Sequence, residues 1–580
     1  MRIKFISIIF LYLTSSYGLT IMDVTSSQLS GDMSNDGRYG GHGVMFADAD
    51  KDGSPDFYIT MNNSYYMPDL FFLNDGSGSF TESGNQRGID NADDGSHGWT
   101  WADLDNDGDF DGWNGSYEKN IPYENRDSQP GYFNDRFSGS GIEDIQLGTR
   151  GVAAFDFDND GDLDLFGNNW YARGAKENNE FYRNDGNFTF TRIDNGLKYA
   201  KGDQGVCDGD FDDDGDMDLL LCVFEDGSRC VEIWENNDGQ FSKASNTGIN
   251  LCVTVDGVTF WDMDNDGLLD VVSGYDIYLN DGDGTFTELS GVPSGMRVMR
   301  GIADLNNDGY WDLISPGADK VYLNNGDLTF SSVSFSRGTI NDPRTVAFAD
   351  IDGDGDVDWV LGQKKTYNRL YRNNYSGGNH YLFVELISPA GQAGAFGAKV
   401  YIYSAENDTL LLYRQAHSNH GYLAQDDPVL HFGCGQRESV RVKVRFLDGT
   451  EKTVITDTDT NITVDGSASV GTGDCPSVKQ HAAGISVSPN PFNPSTVISL
   501  SGIPDEKNIE LNIYDSRGRL AANLGRGSNL RAERMQGSVL QRYTWDAFGM
   551  PAGVYTLVVE TGIKAALRQR RLIKKMVLVK

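Results

Sequence analysis

The chain has 580 residues, 39% of them hydrophobic and 23% charged, with a formal net charge of −37. That length leaves room for several domains, each with its own core. So negative a chain excludes nucleic acid as a partner, because one polyanion repels another. Beyond the N-terminal stretch, no apolar run is long enough to cross a bilayer.

Residues 1–18 carry Arg2 and Lys4, an apolar run from Phe5 to Leu13, and then Ser16-Tyr17-Gly18. A basic start, a short apolar core and small residues at the cut predict a secretory signal, with the mature chain beginning near Leu19. The six cysteines allow fifteen pairings. Cys207 and Cys222 flank one loop and are the expected disulfide, with buried free thiols as the alternative; no zinc spacing is present.

The nonapeptide D-x-D-x-D-G-x-x-D occurs seven times, at steps of 55, 53, 54, 52, 42 and 46 residues. A period in this range signals one supersecondary unit per repeat. Carboxylates at alternate positions can converge on one point, Gly at position 6 permits a sharp turn, and a position-7 carbonyl completes an all-oxygen cage suited to calcium. The predicted side-chain ligands are Asp48, Asp50, Asp52 and Asp56; Asp103, Asp105, Asp107 and Asp111; Asp156, Asp158, Asp160 and Asp164; and Asp210, Asp212, Asp214 and Asp218. The last three loops offer Asp262, Asp264, Asp266 and Asp270; Asp304, Asn306, Asp308 and Asp312; and Asp350, Asp352, Asp354 and Asp358. About seven structural calcium ions follow, with weaker binding at the sixth loop, where Asn306 replaces an Asp. These loops hold 32 of the 85 acidic residues, so ligation accounts for much of the charge.

An EF-hand is excluded. Position 12 should be a bidentate Glu, and here it is Ile59, Asn114, Gly167, Leu221, Ser273, Ser315 or Leu361. The flanks are short β-branched and aromatic runs, which read as strands. About twenty residues after each loop comes an Asn-containing turn such as Asn74-Asp75-Gly76, Asn184-Asp185-Gly186 or Asn280-Asp281-Gly282. That is a hairpin signal. Each repeat is therefore four strands, a propeller blade, and seven loops predict an all-β, seven-bladed β-propeller. Ile21–Thr25 matches a repeat-ending strand and should complete the last blade, covering its open edge. Residues 117–147 of the second repeat are polar and read as a longer surface loop, with Tyr132-Phe133-Asn134-Asp135 as a degenerate turn.

The loop and the N-x-G-x-G-x-F turn together resemble the FG-GAP/VCBS repeats of the integrin α-chain propeller and of many secreted bacterial proteins. The resemblance spans about residues 40–375 in seven phased copies. It implies a calcium-binding propeller in an extracytoplasmic setting.

Six residues before each loop stand His42, His97, Arg150, Gln204, Asp256, Val298 and Arg344. Equivalent positions in a propeller form a ring around one mouth of the axis. The polar members could bind an anion, a sugar or a metal.

After Gly377-Gly378 the repeats stop. Strand-like runs follow, with Gly394-Ala395-Phe396-Gly397, Gly421-Tyr422-Leu423-Ala424-Gln425 and Val442–Phe446 before Asp448-Gly449. These resemble the ASPIC/UnbV module that follows such propellers in the cartilage acidic protein family. The resemblance implies a compact β module without an established activity; Gly433-Cys434-Gly435 stands where the family gives Gly-Leu-Gly. His417, His420 and His431 lack a helical zinc spacing. Residues 467–484 read as a Gly/Ser/Thr/Ala linker. Pro489-Asn490-Pro491, Pro551-Ala552-Gly553-Val554-Tyr555 and a basic end resemble the C-terminal sorting domain of type IX secretion substrates, an Ig-like sandwich. Residues 485–580 carry 14 Lys and Arg against 7 acids, on an otherwise acidic chain.

The expected organisation is a signal peptide at 1–18, the propeller at 19–380, the β module at 381–466, the linker at 467–484 and the sorting domain at 485–580. No G-x-S-x-G elbow, H-E-x-x-H helix or Cys–His signature is present. The favoured reading is a monomeric, non-enzymatic binding or adhesion protein at the bacterial surface or secreted. Its partners would be the type IX machinery and a glycan, matrix or protein ligand. The alternative is an exported polysaccharide lyase or hydrolase working at the channel mouth, since fold alone does not decide function.

Overall fold

The computed structural model describes residues 18–30, 41–61, 68–91, 95–143, 148–169, 179–197, 205–225, 228–253, 257–274, 276–293, 301–316, 319–335 and 338–467. It further describes 484–488, 495–501, 509–515, 519–523, 541–546, 550, 553–561 and 570–578. Gln204, Asp256, Val298, Cys475 and nearly all of the predicted signal and linker lie outside these ranges. Two compact units separate, residues 1–460 with 464–476 and residues 461–463 with 477–580.

The fold is all-β. Among the described residues of the first unit, seven sheets follow one another, each containing an antiparallel four-stranded unit like a propeller blade, with added strands on the first and fourth. Val44–Ala47, Asp56–Ile59, Leu70–Asn74 and Phe80–Glu82 make the first. The third runs Thr149–Phe155, Asp164–Asn169, Glu180–Asn184 and Phe190–Arg192. In the seventh, Pro343–Ala349, Asp358–Gln363 and Arg369–Tyr375 are completed by the N-terminal strand Leu19–Asp23, with Leu19 opposite Tyr375 and Asp23 opposite Tyr371. The chain start thus occupies the edge that the last repeat leaves open.

The second repeat departs from the expected surface loop. Ile121–Arg126 and Gln129–Asp135 are the outer hairpin of its sheet. Ile121, Tyr123 and Phe133 are buried, so three apolar residues among polar ones suffice to hold the hairpin down.

Apolar clusters lie between sheets rather than in one centre. Phe46, Phe57 and Phe72 of the first sheet pack with Ala347 and Val360 of the seventh, and Trp261 and Val272 of the fifth with Leu313 and Tyr322 of the sixth.

Hydrogen bonds reinforce these joints with a repeated clip. In the third sheet the Asn184 amide donates to Leu163 O and to Leu104 O of the second repeat's loop. Asn125 reaches Ala49 O, Asn236 reaches Phe157 O, Asn280 reaches Phe211 O and Asn373 reaches Leu305 O. Asn74 reaches Ile351 O and so joins the first sheet to the last. Asn324 is buried with its amide nitrogen unbonded.

Residues 380–457 build further strands. Lys399–Ser404, Leu410–Gln415, Ser439–Arg445 and Glu451–Asp457 form a sheet, and His380–Ile387 pairs with Leu430–Gly435. Between them, residues 415–427 run into the axis and meet the first strands of six of the seven sheets. Ala424 and Gln425 pair in parallel with Val44 and Met45. The Gln425 side chain exchanges two hydrogen bonds with the Trp101 backbone, at 2.8 and 2.9 Å. Ala154 N donates to Ser418 Oγ, Ser418 Oγ donates to Asp208, Gly421 bridges Val258, and Phe348 N donates to Asp426. Nothing in the sequence of this segment announced that role.

Cys207 and Cys222 are free buried thiols, against the expected pairing. Cys207 stands opposite Leu220, two residues out of register with Cys222. The disulfide joins Cys230 and Cys252, which face each other directly on adjacent strands.

In the second unit, Gly484–Ser488, Ser495–Ser501 and Gln541–Asp546 form one sheet. Leu520–Asn523, Ile509–Asp515, Gly553–Thr561 and Arg570–Leu578 form another.

The clips predict a measurable cost. Asn236→Ala removes three buried hydrogen bonds, those donated to Phe157 O and Met217 O and the one accepted from Gly239 N, which should lower the unfolding free energy by about 2–4 kcal/mol. The exposed neighbour change Asn237→Ala should leave it nearly unaltered. Urea unfolding of both variants checks this, and equal midpoints would remove the clip from the account.

Candidate metal centres and the opposite mouth

Each acidic loop is wound by its own carboxylates. In the third, Asp156 accepts from Asp160 N and Gly161 N, and Asp160 accepts from Asp162 N. The same bonds recur in the first loop, from Asp52 N and Gly53 N to Asp48. Two residues per loop are left-handed. Gly161 at position 6 has φ 96°, and Asn159 at position 4 has φ 58°. Asn106, Asn265 and Asn307 take the same conformation at position 4, which explains the preference for Asn there.

Position 9 is the structural pivot. Asp164, fully buried, accepts from Phe157 N within the loop and from Asn184 N of the next hairpin, at 3.1 and 2.8 Å. Asp56, Asp111, Asp218, Asp270, Asp312 and Asp358 make the same pair of bonds. None is neutralised by an ion pair among the described residues. Burial pushes the Asp164 carboxyl well above the ordinary range, with Asp158 and Asp156 adding repulsion.

These clusters can hold a metal ion. Asp48, Asp50 and Asp56 bring one oxygen each within 4.8 Å of one another, as do Asp103, Asp105 and Asp111; Asp156, Asp158 and Asp164; and Asp210, Asp212 and Asp218. The donor set is entirely oxygen, and burial with mutual repulsion raises Asp48 and Asp156 to about 7 and Asp262 to about 8. A hard divalent cation would relieve both costs. Asp107, Asp109 and Asp127 form a further group beside the second loop; the outer-hairpin residue Asp127 was not foreseen.

Several loops meet internal cations or donors. Lys399 Nζ lies 2.7 Å from Asp210 and also contacts Asp213. Arg372 contacts Asp352 and lies 3.4 Å from Asp354. Ala393 N donates to Asp103 at 2.8 Å. In the sixth loop Asn306 donates to Asp308, and the Arg414 cation draws the buried Asp304 downward from the rise that burial imposes.

At the other end of the first strands, His42 and His97 face each other with ring centroids 5.2 Å apart. Both are sealed from solvent, at 2% and 0% exposure. Tyr117 packs edge-on against His97 at 4.6 Å, and Arg150 donates to the Tyr117 hydroxyl at 3.2 Å. Tyr422, at the tip of the axial segment, lies with its hydroxyl 3.3 Å from His42 Nδ1. Arg344 pairs with Asp342 at 3.1 Å. Burial holds both histidines well below the ordinary imidazole value, and Arg344, Lys364 and Arg150 act in the same direction. His417 and His431 do not share a site: His417 contacts Asp208 O and His431 contacts Asn307.

The family model described as FG-GAP-like repeat matches residues 156–221, 210–273 and 304–361, and the model described as ASPIC and UnbV matches residues 389–472. The chain carries FG-GAP-like repeats and an ASPIC and UnbV segment. It is similar to cartilage acidic protein 1 of Xenopus tropicalis, 26% identical over 314 residues, covering 52% of this chain and 42% of that one. The Mus musculus protein is 28% identical over 282 residues, covering 47% and 38%. The chain thus matches less than half the length of these relatives. Among solved structures, it is similar to an Agrocybe aegerita lectin that recognises non-reducing terminal N-acetylglucosamine, at TM-score 0.37 and 18% identity, covering 58% of this chain and 95% of that one. The exotype rhamnogalacturonan lyase YesX gives TM-score 0.30 and 10% identity, covering 74% and 91%.

The carboxyl values set a pH test. In metal-free protein, folded-state values of about 6 for Asp103, about 7 for Asp48 and about 8 for Asp262 stand above the unfolded value. The folded FG-GAP loops then bind more protons than the unfolded chain, so stability is greatest at acid pH and is lost as pH rises through those values. Bound calcium reverses the balance, because protons compete for its ligands. Chelated protein should melt higher at pH 5 than at pH 8, and the gain from calcium should be largest at pH 8. Chelated protein more stable at pH 8 would contradict the assignment.

Proposed function

We propose that this chain is an exported, calcium-stabilised, seven-bladed propeller whose task is to bind a glycan, a matrix component or another protein. The observation that carries the reading is the recurrence of converging carboxylates in the FG-GAP loops, typified by the buried Asp156 and Asp164 with the exposed Asp158. About seven calcium ions would fix the loop ends of the sheets, leaving the opposite mouth as a rigid ligand platform. The Cys230–Cys252 disulfide fits an oxidising compartment. We assign residues 19–380 to the propeller, 381–466 to the β module and 485–580 to a sorting domain read by the type IX secretion machinery, with the product at the cell surface or released.

Binding of the full chain to immobilised glycans and matrix proteins, in calcium and in chelator, tests this reading. Binding should need calcium, and Asp158→Ala should weaken it and lower the melting temperature more than Asn306→Ala. A melting temperature indifferent to calcium would refute the structural role of the ion. Deleting residues 485–580 in the natural host should leave folded protein in the periplasm; normal surface delivery would rule out a sorting role.

The His42–His97 pair beside Tyr117 and Arg150 supports a second reading, a polysaccharide lyase or hydrolase at the same mouth. Release of new chain ends from an acidic polysaccharide, lost in His97→Ala, would favour it over simple binding.

A further inference from the structure

Arginine stands one residue before the clip asparagine in two repeats, as Arg183 before Asn184 and Arg372 before Asn373. At that position the first, fifth and sixth repeats have Leu73, Leu279 and Leu323, and the second and fourth have Glu124 and Glu235. The two arginines do different things. Arg183 turns to its own hairpin, where Nε and Nη2 donate to Asp185 at 2.9 and 2.7 Å. In the seventh repeat the residue equivalent to Asp185 is the neutral Asn374. Arg372 turns instead to the acidic loop, where Nη2 contacts Asp352 and lies 3.4 Å from Asp354. Those are positions 3 and 5, two of the four side-chain ligands that a calcium ion would use there.

The rest of the seventh loop is also engaged by protein groups. Asp350 at position 1 accepts from Gly353 N, Asp354 N and Gly355 N, at 2.9, 3.1 and 2.9 Å. Asp356 at position 7 accepts from Tyr375 N and from the Asn307 amide. Tyr381 lies over Gly355, where an added Cβ would come within 2.0 Å of the ring. The Asp352 side chain is only 5% exposed, so its charge has little water and needs a cation close by. A guanidinium keeps its proton at any ordinary pH and meets carboxylates along fixed directions. It cannot leave the chain, whereas an ion can. Lys399 at the fourth loop is a different case, since of its two partners, Asp210 and Asp213, only Asp210 is a ligand position.

We propose that Arg372 holds the seventh loop in place of calcium, so that this loop takes no ion and the remaining loops carry the exchangeable ones. The proposal rests on the calcium reading above and takes one ion from it. Its place in the fold gives it a purpose. The seventh sheet is the one that the chain start completes, with Met22 opposite Arg372 itself. Strand pairing rather than chain continuity holds that seam. An attached cation keeps the loop at the seam in shape when calcium is scarce and the other loops have lost theirs.

The test is a count of the calcium ions bound by the full chain at saturation, by equilibrium dialysis and elemental analysis. Arg372→Leu, which installs the leucine of three other repeats, should bind one ion more than the unaltered chain. Arg183→Leu, the same change in the third repeat, should add none. Calcium binding by the unaltered chain with no gain in Arg372→Leu would overturn the proposal and leave the calcium reading standing. An unaltered chain that binds no calcium would refute that reading and the proposal with it. A second measurement needs no variant. When calcium is chelated, hydrogen exchange of the unaltered chain should quicken in residues 156–164 and stay the same in residues 350–358. Equal quickening in both loops would overturn the proposal whether or not Arg372→Leu folds, and no change in either would count against calcium itself.

Discussion

A buried carboxylate without a cation sits at the centre of every repeat. Asp164 and its six counterparts at position 9 each accept one backbone bond from their own loop and one from the hairpin behind it. In every repeat but the sixth, the asparagine whose N–H makes the second bond uses its side chain to grip the preceding sheet. Loop, hairpin and neighbour are therefore fastened at one point. An uncompensated charge buried there costs several kcal/mol unless it is protonated or met by a cation. A hard cation that entered the loops would relieve that cost at the same carboxylate that holds the sheets together.

The axial segment adds a second dependence. A ring of sheets leaves a hole along its axis, and polar backbone at the first strands must find partners there. Residues 415–427 supply them, through Gln425 to Trp101, Ser418 to Ala154 and Asp426 to Phe348. The strands on either side of that segment rest on the acidic loops, where Ala393 reaches Asp103 and Lys399 reaches Asp210. The repeats and the segment after them are one structure in energetic terms, although their sequences look unrelated.

Much of this was legible in advance, because it is written in local chemistry. The D-x-D-x-D-G-x-x-D spacing states its own geometry, and the hairpin turns state theirs. What the sequence concealed was distance. The turn asparagines read as hairpin signals, yet Asn74 and Asn236 act across sheet boundaries. The repeated pairing of each Asn with a loop about twenty residues upstream was the available signal. The outer hairpin of the second repeat was hidden by its polar composition, since Ile121, Tyr123 and Phe133 anchor it among polar neighbours. Cys230 and Cys252 were as visible as Cys207 and Cys222. Register alone chose between the pairs, and register is set by strand pairing that no local motif reports. Gly421-Tyr422-Leu423 carried no mark of an axial position, because its partners lie on strands far away in sequence, at Val258, Val44 and Thr345.

The charges divide along the first strands. Carboxylates collect where these strands end, and Arg150 and Arg344 stand where two of them begin. The separation is enforced by burial. His42 and His97 are buried at the end opposite the loops, and the axial segment lines the first strands with hydrogen-bonded groups. Charges separated by filled protein are screened less than charges facing bulk salt water.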